Sequence, residues 1–68
     1  MNDTELVTKL EALWQSLKKD AARSRDKSHW YRARGDEPYA EFHFGQCIAY
    51  EFTAQELYHI LHPWKPGE

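Results

Sequence analysis

Along the first third of the chain, apolar side chains return every three or four residues. Leu6, Val7, Leu10, Leu13, Trp14, Leu17 and Ala21 follow the i, i+3, i+4, i+7 spacing of an amphipathic helix. At 100° per residue they fall within an arc of about 120°, the width of a stripe that faces a core. Asn2, Asp3 and Thr4 offer side-chain oxygens for an N-cap. Lys18, Lys19 and Arg23 place cations toward the other end, where the helix dipole favours them. The pattern predicts a helix over residues 3–24, about 33 Å long at the α-helical rise.

Residues 25–28 read as a loop, after which the apolar period changes to two. Residues 29–34, 39–44 and 48–52 are candidate strands. They are separated by the turn formers Gly35-Asp36-Glu37-Pro38 and by Gly45. Register follows from side-chain sorting, because a one-residue slip turns core residues to water. A two-residue Gly45-Gln46 turn would set Phe42 and Phe44 on the face opposite Ile48, Tyr50 and Phe52. A three-residue Gly45-Gln46-Cys47 loop gathers all of them on one face and is preferred. The inner face then holds the rows His29–Phe44–Ile48, Tyr31–Phe42–Tyr50 and Ala33–Ala40–Phe52. The outer face holds Trp30–His43–Ala49, Arg32–Glu41–Glu51 and Arg34–Tyr39–Thr53. Thr53-Ala54-Gln55-Glu56 has the form of a capping box. It predicts a helix over 54–62, with Leu57, Ile60 and Leu61 inward, stopped by Pro63. An extended tail occupies 63–68.

The expectation is a single α+β domain over residues 1–68, in the order α-β-β-β-α. A three-stranded antiparallel meander carries the long N-terminal and the short C-terminal helix on one face. A chain of 68 residues has a thin stability margin. Its three Trp, four Tyr and three Phe nonetheless set it apart from disordered sequences. The element order and length resemble those of double-stranded RNA-binding domains. That family carries a basic cluster at the start of its last helix, where this chain has Thr53-Ala54-Gln55-Glu56, and the first helix here is about twice as long. The resemblance covers element order alone and carries no function with it.

Several function classes are narrowed by composition. No apolar run approaches the roughly 20 residues of a membrane helix, so no membrane association is expected. The polar, acidic start is unlike a secretory signal. Cys47 is the only cysteine, so no internal disulfide forms. A cytoplasmic location is the expectation. His43, Cys47, His59 and His62 are ligand-type residues without the spacing of a zinc site, and no metal or other cofactor is expected. Glu41 and Glu51 would be cross-strand neighbours beside Arg32 and His43, an arrangement better read as an exposed charged row than as an acid–base pair. Ser28-His29 cannot act as a dyad on a strand, where neighbours point to opposite faces.

Two binding readings remain. Net charge is −2, but residues 18–34 are basic while residues 35–68 are acidic. Lys18, Lys19, Arg23, Arg25 and Lys27, with Trp30 and Tyr31, form a candidate nucleic-acid surface. The leading reading is a non-enzymatic protein-binding module: a regulator, inhibitor or accessory subunit of a larger protein. Its contact face is Trp30, Arg32, Arg34, Tyr39 and His43, drawn from the residue types that dominate interface energies. The long first helix overhangs a small sheet and offers a route to pairing with a second copy.

Overall fold

The computed structural model describes residues 3–62. They form two helices, α1 (Asp3–Ala33) and α2 (Glu37–Leu61), folded back on each other as an antiparallel hairpin. The described residues contain no strand. The α+β meander is therefore overturned, and with it the likeness to double-stranded RNA-binding domains. Residues 25–28, expected as a loop, continue α1, as do residues 29–33. Residues 39–44 and 48–52, expected as strands, lie in α2 together with Gly45 and the helix expected over 54–62. The capping-box segment is internal, and the Thr53 hydroxyl donates back to the Ala49 carbonyl at 2.8 Å. The expected tail, 63–68, and Asn2 lie outside the described residues. No described helix is long and apolar enough to cross a membrane.

The turn sits where its residue types place it, but it joins helices. Gly35 has φ of +80°, the left-handed conformation that ends helices at glycine. The Asp36 amide donates to the Tyr31 carbonyl and the Gly35 amide to that of Arg32, each at 3.0 Å. These are the paired bonds that close a helix C-terminus. Asp36 then caps α2: its Oδ1 accepts from the Tyr39 amide at 3.4 Å, and its carbonyl accepts from the Ala40 amide at 3.0 Å. Pro38 occupies the first helical turn, where its missing N–H costs nothing.

A seam with alternating three- and four-residue spacing holds the helices together. On α1 it runs Leu10, Trp14, Leu17, Ala21, Ser24, Ser28, Tyr31; on α2 it runs Ala40, His43, Cys47, Tyr50, Ala54, Leu57, Leu61. Such a repeat keeps one stripe of each helix against the other along their length. Among the described residues the buried positions are all small: Ala21, Ser24 and Ser28 against Ala40, Cys47 and Ala54. Small side chains let the backbones approach. The Ser28 hydroxyl, itself buried, consequently reaches across to the Ala40 carbonyl at 2.8 Å. Toward the open end Trp14 packs on Tyr58, with ring centroids 5.5 Å apart, and His62 Nε2 stands 3.4 Å from Glu11 Oε1.

The molecule is one helix layer thick, with a smallest extent of 13 Å. Among the described residues no second layer covers either broad side. Half of the predicted α1 stripe does face α2, but Leu6, Val7 and Leu13 stay nearly half exposed. Phe42, Phe44, Ile48 and Phe52, expected under a sheet, are between 46% and 64% exposed.

Candidate functional site

The closed end of the hairpin gathers the aromatic and arginine side chains. Trp30 and Arg34 stand one helical turn apart, so Arg34 lays its guanidinium over the indole, 3.6 Å from the ring centroid. Arg34 Nη1 also donates to the Trp30 carbonyl at 3.3 Å, which helps hold it there. Trp30 meets Tyr31 edge-on at 5.0 Å between centroids. Tyr31 is the hub. Its ring stacks on Tyr39 of α2 at 5.2 Å and on His43 at 5.4 Å, the latter with planes only 7° apart. Tyr39 and His43 are themselves one turn apart, which is why both reach the same ring. His43 Nδ1 lies 2.9 Å from Gln46 Oε1, and the Phe42 ring meets His43 edge-on at 5.2 Å.

Of the five residues expected at the contact face, Trp30, Arg34, Tyr39 and His43 belong to this one cluster, linked through Tyr31. Arg32 does not join it and instead pairs with Glu37 across the turn, Nε to Oε2 3.6 Å. The sheet-based grouping missed Phe42, which it sent inward. A spacing of four is the signal that finds the set: 30 with 34, and 39 with 43. Trp30, Tyr39 and Phe42 are each more than half exposed.

The other candidate sets are not gathered in this way. Lys18, Lys19, Arg23, Arg25 and Lys27 spread over about 200° of the α1 circumference at 100° per residue. The Lys18 ammonium lies over the Trp14 ring at 4.7 Å, Arg23 stands 3.9 Å from Asp20, and Arg25 pairs with Glu51. Cys47 and Glu51 beside the Arg25 guanidinium raise its pKa above the ordinary value, through the Cys47 hydrogen bond first and the Glu51 charge next. Glu41 and Glu51, cross-strand neighbours in the sheet reading, are ten residues apart on one helix, about 15 Å along its axis. Nothing pairs them. His43 and His59 are about 24 Å apart on the same basis. Among the described residues no three His, Cys, Asp or Glu side chains come together as a metal site would need. A groove of about 410 Å³ is lined by Trp14, Ala21, Ala22, Ala54 and Tyr58 together with Lys18, Arg25 and Glu51.

No protein-family model matches the chain, and neither curated proteins nor solved structures give a match.

Proposed function

We propose that the chain is a small non-enzymatic binding module, a regulator, inhibitor or accessory subunit, that docks on a larger protein through the closed end of its hairpin. The observation that carries this reading is the Trp30–Arg34 stack beside Tyr31, Tyr39 and Phe42, ordered by helix spacing and left open to solvent. Tryptophan, tyrosine and arginine dominate interface energies because they bury much area for little lost rotamer freedom. In this cluster their geometry is formed before a partner arrives, so less ordering entropy is lost on binding. Trp30 and Tyr39 serve as apolar anchors. The exposed edge of Arg34 offers paired donors to a carboxylate. The buried free thiol of Cys47 suits a reducing compartment, and we place the module in the cytoplasm.

The test is affinity capture with the full chain, comparing wild type with Trp30→Ala and Arg34→Ala. A partner protein identified by mass spectrometry should be retained by wild type and lost with either variant. Circular dichroism should show unchanged helix content in both. Equal retention by all three sinks the reading. Retention of nucleic acid that falls steeply with salt would replace it with the basic-segment alternative.

A further inference from the structure

Two contacts that join the helices also line the groove of about 410 Å³. Trp14 packs on Tyr58 toward the open end of the hairpin, and Arg25 pairs with Glu51 nearer the closed end. The lining residues between them in sequence are Lys18, Ala21 and Ala22 on α1, and Ala54 and Gln55 on α2. The groove follows from this order. Three side chains that are only methyl groups lie between a pair of large rings and a cross-helix ion pair. Its volume falls in the range of about 300–1,000 Å³ typical of clefts that hold small organic ligands. It is also short. At the α-helical rise, Trp14 to Arg25 covers about 16 Å of α1 and Glu51 to Tyr58 about 10 Å of α2. A patch of that length is far smaller than the roughly 800 Å² a protein partner would cover.

Charge selects the kind of ligand. The Arg25 guanidinium is committed to Glu51. The Lys18 ammonium stands 4.7 Å from the Trp14 ring centroid, which keeps it at the groove that both residues line. Among the described residues no carboxylate pairs with Lys18. The groove therefore carries one uncompensated positive charge beside an apolar lining. Ring chemistry selects the body of the ligand. Trp14 and Tyr58 offer faces and edges to a further ring, contacts that add to the gain from buried area alone. We infer that the groove binds a small planar aromatic carboxylate, its charge on Lys18 and its rings over Ala22 and Ala54 beside Trp14 and Tyr58. No lining residue is shared with the cluster around Tyr31 at the closed end, so the two surfaces are separate.

Titration of the full chain with 2-naphthoate, followed by two-dimensional NMR, tests the inference. Wild type should bind with a dissociation constant below about 1 mM, shifting the Trp14 indole N–H and amides within residues 18–25 and 51–58. The uncharged 2-naphthamide should bind about tenfold more weakly, and Lys18→Met should remove that difference. Lys19→Met deletes the same charge from a residue that does not line the groove, and should bind 2-naphthoate as wild type does. Ala22 is exposed, so Ala22→Leu should keep its helix content by circular dichroism while it fills the groove and abolishes binding of both probes. No saturable shift in wild type, equal binding of acid and amide, or undiminished binding by Ala22→Leu overturns the inference. So does a ligand-free chain that sediments at twice its 8.1 kDa mass and loses the probe as its own concentration rises, which would place a second copy in the groove.

Discussion

Opposite the seam they share, α1 carries Glu5, Thr8, Gln15, Lys19, Arg23 and Asp26, whereas α2 carries Phe42, Gly45, Ala49 and Phe52 before it reaches Glu56. The inner stripes of the two helices alternate spacings of three and four, and each buries three small residues, Ala21, Ser24 and Ser28 on α1 and Ala40, Cys47 and Ala54 on α2. The outer sides differ. A helix with one apolar stripe is complete once that stripe is covered, and α1 comes near that state, with Leu6, Val7 and Leu13 left nearly half exposed. Between residues 42 and 53, α2 is apolar on nearly every side, with Glu51 the single charge, and that charge is turned to Arg25. Helices of that composition are found with all sides buried. In the hairpin alone α2 is only half covered, and its exposed Tyr39 and Phe42 extend the docking cluster that Trp30 and Arg34 begin.

The most damaging test of this comparison strikes the seam itself. Ala40 is fully buried and its carbonyl accepts the Ser28 hydroxyl. Ala40→Leu should force the backbones apart and cost about 1–3 kcal/mol. In so small a chain this should appear as a much lower urea midpoint, followed by circular dichroism. An unmoved midpoint would mean that close approach does not hold the helices. The two glycines should then respond with opposite signs. Gly35→Ala puts a Cβ at positive φ and should destabilise by about 1 kcal/mol. Gly45→Ala, which adds a Cβ in open space inside a helix, should stabilise by about 0.5–1 kcal/mol. Thermal melts of both variants read this directly, and shifts of the same sign would refute the different roles assigned to the two positions.

A smaller effect concerns how α2 begins. Asp36→Ala removes a cap whose hydrogen bond is long at 3.4 Å, so the loss should be about 0.5 kcal/mol, at the low end of the range for such caps. The smallest effects separate the outer faces. Lys19→Ala on α1 and Phe52→Gln on α2 should each change monomer stability by no more than about 0.5 kcal/mol, because neither side chain is part of the seam. Thermal melts check both, and a larger loss at either position would place that side chain in the seam.

The strand reading of residues 39–52 failed for a definable reason. Ala40, Phe42 and Phe44, then Ile48, Tyr50 and Phe52, are spaced two apart, and so satisfy a period of two. A helix apolar on nearly every side satisfies that period as well, because any spacing then finds an apolar residue. Ser24 and Ser28 misled in the opposite sense. They are polar and broke the apolar stripe of α1, so residues 25–28 read as a loop. In a close-packed seam the size of a serine matters more than its hydroxyl, and at Ser28 the hydroxyl is satisfied across the interface. Most of the candidate cluster survived the change of fold. Residues two and four apart share a face of a strand, and residues four apart share a face of a helix, so 30 with 34 and 39 with 43 meet in either. Arg32, two residues from each of its neighbours in the set, was lost for the same reason.

Local chemistry alone placed the chain reversal at Gly35-Asp36-Glu37-Pro38, the amphipathic start of α1 and the separation of basic from acidic halves. Each of these depends on residues within a few positions of one another: a glycine free to take positive φ, a capping carboxylate, an apolar stripe, a run of like charges. Tertiary structure decided that the second half is a helix, that small alanine, serine and cysteine residues of the two helices form the buried part of the seam, and that Phe42, Phe44 and Phe52 lie outside. Those outcomes depend on how closely two distant segments approach. The backbones come near only where side chains are small, and that near approach leaves the bulky ones no room inside.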